Sequence, residues 1–122
     1  MGVEELLAYK KAFAVAMEIF EISKKFPKEE LYSLTDQIRR SSRAVCANMS
    51  EAYRKRRYVN HFISKLTDAD AENGETQTWL AFAEACKYIP SETKNEILEQ
   101  TKEVGKLINY MINNPGKFGV NQ

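Results

Sequence analysis

Apolar residues recur at three- and four-residue spacing through four long stretches of this chain, and nowhere do they alternate with period two over the length of a strand. A period of about 3.6 brings such positions onto one side of a helix, whereas a sheet needs side chains that alternate between faces. The pattern therefore restricts the fold to helices packed on helices. The stretches are residues 3–25, 34–56, 59–87 and 92–113, separated by Pro27, by the cluster Arg54, Lys55, Arg56 and Arg57, and by Pro90 with Ser91. Short connections between long helices favour antiparallel neighbours. The expected fold is all-α, an antiparallel up-down four-helix bundle over residues 1–114, with residues 115–122 as a short flexible tail around Pro115, Gly116 and Gly119. A chain of 122 residues supports one such core and not two.

The second helix presents Leu34, Ile38, Val45, Met49 and Ala52 as its core stripe, the third Phe62, Leu66, Ala69, Leu80 and Ala83, and the fourth Ile97, Thr101, Val104, Ile108 and Met111. Ser33, with Asp36 three residues on, reads as an N-cap for the second helix. The first helix differs, because it carries two apolar stripes: Ala12, Val15, Ile19, Ile22 and Phe26 on one, Leu6, Tyr9, Phe13, Ala16 and Phe20 on the other. A helix apolar over so wide an arc needs neighbours on more than one side. Burial between subunits is the expectation, with Phe13 and Phe20 at a homo-oligomer interface.

The formal net charge of +1 conceals a local asymmetry, since residues 39–57 hold seven Arg or Lys against one acid. Arg39, Arg43, Ser50, Arg54 and Arg57 fall on one side of the second helix, with Arg40 at its margin. Guanidinium groups in a row can pair bidentately with phosphate oxygens, so RNA or DNA is the candidate ligand. Arg39, Arg40, Arg43, Arg54, Lys55, Arg56 and Arg57 are the candidate contact residues, with Tyr53 and Tyr58 placed to stack on bases. The plainer alternative is that Arg39 and Arg43 pair with Asp68, Glu72 and Glu75, an acidic stripe on the third helix, leaving the Arg54 to Arg57 cluster accessible at a hairpin tip.

Beyond that acidic stripe, Trp79 and Phe82 continue as an apolar patch with Cys86 after them, which suits a second subunit or a protein partner. Asp70, Asn73 and Gln77 interrupt the inward stripe of the third helix. They read as a buried polar layer fixing helix register, with Asn48 as a plausible partner and Gly74 permitting a close helix approach.

Catalytic residues are not expected. The single histidine, His61, reads as a surface or capping residue, and a di-iron bundle would need two Glu-x-x-His motifs. Neither a zinc-binding Cys/His cluster nor a Gly-rich phosphate loop is present, so no metal and no cofactor is expected. Cys46 and Cys86 lie in apolar helical patterns and read as reduced, buried small residues. The longest wholly apolar run, residues 12–17, is too short to span a bilayer. No membrane association and a cytoplasmic location are the expectations.

The segments FPKEELYSLTDQIRRSSRAVCANMSEAYRKRR and HFISKLTDADAENGETQTWLAFAEACKYI closely resemble the bacterial four-helix-bundle family named for 23S rRNA intervening sequences. The resemblance covers residues 6–89. Its most specific parts are Phe26-Pro27-Lys28-Glu29-Glu30, Gln37-Ile38-Arg39-Arg40, Asn48 with Glu51, and Glu75-Thr76-Gln77. Ala52 and Gly74 depart from the common family pattern, which has Gly and Leu near these positions, as a subfamily would. The resemblance implies an up-down bundle that forms homo-oligomers, pentameric rings above all. It also implies similarity to the accessory subunit of diversity-generating retroelements, a bundle ring that binds nucleic acid and a reverse transcriptase. It implies no particular catalytic activity.

Overall fold

The computed structural model describes residues 2–120. Four helices make up most of it: α1 (Leu7–Ser23), α2 (Leu34–Arg54), α3 (Val59–Ala85) and α4 (Ser91–Asn113), with single 3-10 turns at Val3–Glu5, Lys28–Glu30 and Pro115–Phe118. Each helix packs against its two neighbours, α1 on α2, α2 on α3, α3 on α4 and α4 on α1, and among the described residues α1 does not meet α3, nor α2 meet α4, across the diagonal. This is the square, up-down arrangement that short connections impose.

All the stripe residues expected for α2, α3 and α4 are buried, with Ile38, Phe62, Leu66, Leu80, Ile97 and Ile108 fully so. Truncating any one of these to alanine would cost roughly 2–5 kcal/mol, the removed transfer energy plus the cavity left behind. In α1 the first stripe points into this core through Ala12, Val15 and Ile19, while the second divides: Leu6 and Ala16 are buried but Phe13 is 51% exposed. A four-helix core has room for one stripe per helix. The surplus apolar surface of α1 is left on the outside.

The polar layer forms with different partners from those the sequence suggests. Asn73 Nδ2 donates to the Thr101 carbonyl at 2.8 Å and Gln77 Nε2 to Thr101 Oγ1 at 3.0 Å, so both reach α4. Thr101, counted with an apolar stripe, is the hub of this network. A second link, Ser41 Oγ to Thr76 Oγ1 at 2.8 Å, joins α2 to α3. Asn48 instead donates to the Ala44 carbonyl of its own helix at 3.0 Å. Among the described residues no buried side-chain nitrogen or oxygen lacks a partner, as a polar layer in a low-dielectric core requires. The close helix approach belongs to Gly105 of α4, whose missing Cβ would sit 3.4 Å from Asn73 Nδ2, whereas Gly74 faces open space.

The ends of the helices correct three further expectations. Ser33 makes no side-chain cap of α2. Its hydroxyl donates to Glu30 Oε1 at 2.6 Å, and that same carboxylate oxygen accepts the Leu34 amide at 3.3 Å, so an upstream glutamate does the capping. Cys86 is exposed, unlike Cys46, whose thiol burial pushes up to about 11. Where the sequence predicts a flexible tail, Pro115–Phe118 form a 3-10 turn, with Pro115 and Val120 buried. Residues 121 and 122 of that predicted tail lie outside the described residues.

Candidate nucleic-acid interface and subunit-contact grooves

The ridge of α2 exposes Arg40, Arg43 and Arg54, while Arg39 is half-buried against α1. Ser23 fixes Arg39, whose Nε donates to Ser23 Oγ at 2.8 Å and whose guanidinium lies 4.9 Å from the centre of the Phe20 ring. Arg43 and Lys24 also sit over Phe20, at 5.7 and 4.7 Å. Phe20 is therefore roofed by cations rather than left open as Phe13 is.

The acidic stripe of α3 does not pair with these arginines. Asp68 and Glu51 share Lys65, at 3.4 and 3.2 Å. Glu75 accepts the indole N–H of Trp79 at 3.3 Å. Burial raises the Glu72 carboxyl above its ordinary range, with Glu75 adding to the effect and Arg40 opposing it. No ion pair among the described residues involves Arg39, Arg40, Arg43, Arg54 or Arg57. The pairing alternative for Arg39 and Arg43 thus fails on geometry, because Lys65 has taken the acids nearest to α2.

At the turn between α2 and α3 the four consecutive cations separate into two roles. Arg54 and Arg57 are exposed and Lys55 half-exposed. Arg56 lies flat on Tyr53, 3.5 Å from the ring centre, and donates from Nε to the Tyr53 carbonyl at 2.7 Å and from Nη1 to the Phe118 carbonyl at 3.3 Å. It clasps the C-terminal turn to the end of α2 and is unavailable for phosphate. A run of like residues gives no sequence signal of which member is used in this way. Tyr58, 56% exposed, stands beside the exposed His61 with ring centres 5.5 Å apart, and Arg57 lies 5.8 Å from its ring. No side chain caps the N-terminus of α3 at Tyr58, so the positive end of the helix adds to the field of this tip.

Two apolar grooves flank α2. Between α1 and α2 a groove of about 450 Å³ is lined by Tyr9, Phe13, Met17, Cys46 and Ala47, with Arg43 on its rim. Between α2 and α3, nearer the other end, a groove of about 390 Å³ is lined by Leu34, Gln37, Trp79, Phe82 and Cys86, with Glu30 on its rim. Phe82 is 53% exposed, and its ring lies 5.9 Å from that of Trp79. Met17, Leu31 and the almost fully exposed Tyr32 join these surfaces without having been singled out in the sequence, since exposure of an apolar residue leaves no mark in its periodicity.

Among the described residues no three His, Cys, Asp or Glu side chains converge where a metal could sit, and no helix is long and apolar enough to cross a membrane. What the surface offers is a basic ridge and tip, and two apolar grooves of opposite rim charge. These are the features of a helical bundle that binds and assembles.

The chain belongs to the 23S rRNA-intervening sequence protein family, which its sequence matches over residues 4–110. It is similar to a crystal structure from Bacteroides thetaiotaomicron described as a protein with unknown function from the S23 ribosomal protein family. The two share 29% identity with a TM-score of 0.79, over 88% of this chain and 96% of the other. No curated protein matches the sequence.

Proposed function

We propose that the protein is a non-enzymatic homo-oligomeric scaffold that holds RNA or DNA at the basic tip between α2 and α3. The observation that carries this reading is the set of arginines Arg40, Arg43, Arg54 and Arg57, which keep no acid partner among the described residues although acids line the adjacent helix. A surface that spends its acids on Lys65 and leaves its guanidinium groups unpaired has the electrostatics of a phosphate-binding face.

Assembly rests on the two grooves. Phe13 and Met17 beside Arg43 on one face complement Trp79 and Phe82 beside Glu30 and Glu75 on the other, so the groove of one copy suits the opposite groove of the next. Interfaces of this head-to-tail kind close into rings. Adjacent faces of a square bundle look out about 90° apart, and a ring of four or five copies needs about 90° or 108° between its two interfaces. Five is the number that the family resemblance implies. In such a ring the ridge of α2 turns toward the axis while the tip stays on the rim, leaving Arg54, Lys55 and Arg57 open. Repetition around the ring would raise weak binding by avidity.

Light scattering should return a multimer that Phe13→Asp and Phe82→Asp each dissociate; a wild-type monomer defeats the scaffold. Filter binding to structured RNA at low salt should weaken in Arg54→Ala plus Arg57→Ala, with the salt slope falling by about 0.7–0.9 for each phosphate no longer neutralised. Unchanged binding defeats the nucleic-acid role. In the alternative reading the groove at Trp79 and Phe82 docks a different protein. Capture of a partner after nuclease treatment, abolished in Trp79→Ala with the oligomer intact, would favour that instead.

A further inference from the structure

The tip carries more than cations. Arg56 ties the C-terminal turn to the end of α2, and this brings a second aromatic and cation pair to the same end of the bundle as Tyr58 and Arg57. Lys117 Nζ donates to the Tyr110 hydroxyl at 2.8 Å and lies 5.3 Å from the centre of its ring. Tyr110, 46% exposed, meets Phe118 edge-on at 6.1 Å. On the neighbouring helix Tyr58 has the same company, with Arg57 over its ring and His61 beside it. Two half-exposed tyrosines, each braced by a second ring and attended by a cation, therefore flank the tip.

Cations alone would suit any polynucleotide. Exposed ring faces suit one whose bases are not already stacked, because a duplex keeps its base faces inside its own stack and offers an aromatic side chain only backbone and groove edges. We infer that the polynucleotide bound at this tip is an unpaired strand, its bases stacked on Tyr58 and Tyr110 and its phosphates held by Arg54, Arg57 and Lys117. The inference rests on the nucleic-acid role proposed above and names the form of the ligand. Every base has a ring face, so recognition is sequence-tolerant, and a stacked base reports nothing of its 2′-hydroxyl, so RNA and DNA strands both bind.

Fluorescence anisotropy with labelled oligouridine, oligothymidine and a blunt duplex, each of about 12 nucleotides, tests this at one fixed low salt concentration. Both single strands should bind at least about tenfold tighter than the duplex, and Tyr58→Ala and Tyr110→Ala should each cost the single strands about tenfold. Tyr58→Phe keeps the ring face and should stay within about twofold. The salt slope should be unchanged in Tyr58→Ala, since every phosphate keeps its cation, and should fall in Arg54→Ala plus Arg57→Ala. Circular dichroism of Tyr58→Ala should match wild type, its side chain lying mostly in solvent. Equal or tighter binding of the duplex, or full affinity in both tyrosine-to-alanine variants while the arginine variant is weakened, would overturn the inference and leave the nucleic-acid role standing. Absence of binding to all three probes would remove both.

Discussion

The two ends of the bundle are closed by clasps of opposite charge. At one end a cation does the work, with Arg56 flat on Tyr53 and donating to two backbone carbonyls. At the other, the anion Glu30 accepts the Ser33 hydroxyl and the Leu34 amide on one oxygen and the Tyr88 hydroxyl on the other, at 2.7 Å. The cationic clasp gathers the chain terminus onto α2. The anionic clasp joins the connection before α2 to the connection after α3. Each end also contains a left-handed residue, but of different kind: Gly119 at φ 83° beside Arg56, and Lys87 at φ 64° just before Tyr88. Lys87 sits in a Schellman turn, with the Tyr88 amide bonded to the Ala83 carbonyl at 2.9 Å and the Lys87 amide to the Glu84 carbonyl at 2.8 Å. Glycine takes that conformation without strain and lysine does not. The cationic end is thus the better optimised, and the anionic end is the one sensitive to acid.

The largest expected effect is at Arg56. Arg56→Ala removes a stacked guanidinium and two charge-assisted bonds, and should lower stability by about 2 kcal/mol in urea unfolding. Arg56→Lys should recover less than half of that, because an ammonium group cannot stack as a plane. If Arg54→Ala, at an exposed neighbour, cost as much, the contrast within the turn would be broken.

The left-handed pair gives the next effect, of opposite sign at the two ends. Gly119→Ala should cost about 1–2 kcal/mol through backbone strain, aggravated by a Cβ placed 3.0 Å from Arg56 Nη1. Lys87→Gly should stabilise by up to about 1 kcal/mol in the same assay. Two decreases would show that the Lys87 side chain makes interactions that outweigh its strain.

The smallest effect is on pH dependence. The Ser33 hydroxyl bond, then the Tyr88 hydroxyl and the Leu34 amide, hold the Glu30 carboxyl below its ordinary 4.5. A depressed carboxyl stabilises the fold above the unfolded value and loses that contribution as pH falls through the folded one. Tyr88, pushed up to about 12 chiefly by its bond to Glu30, behaves inversely: its contribution is full below 10 and lost as pH rises toward about 12. Thermal midpoints followed by circular dichroism should therefore fall at both extremes. Glu30→Gln should flatten the acid limb and Tyr88→Phe the alkaline one, while Arg56→Ala alters neither slope. An acid limb unchanged in Glu30→Gln would place the sensitivity elsewhere.

Much of this molecule is legible in its sequence, and the parts that are not share a physical cause. The helices and their buried stripes follow from a 3.6-residue period that any neighbour on the same face will satisfy, so Ile38, Leu66 or Ile108 can be placed inside without knowing what they touch. Asn73 and Gln77 are equally visible as polar residues on an inward stripe, yet their partner Thr101 is not. Thr101 fits an apolar pattern by shape, and its role depends on which helix faces α3. Arg56 among four consecutive cations, and Glu30 as the cap where Ser33 has the better local signature, fail for the same reason. Their partners Phe118 and Tyr88 lie 62 and 58 residues away.

By itself, then, the sequence determined the helical period, the square up-down order that short connections enforce, and the concentration of charge on α2. Only the tertiary structure decided how those charges are used. It gave the nearest acids to Lys65, roofed Phe20 with Arg39, Arg43 and Lys24, and took Arg56 for the C-terminal turn, so that Arg54 and Arg57 were left facing solvent. Periodicity is a property of one helix and can be read along the chain. Pairing is a competition among side chains brought together from several helices, and its outcome is fixed only when all of them are in place.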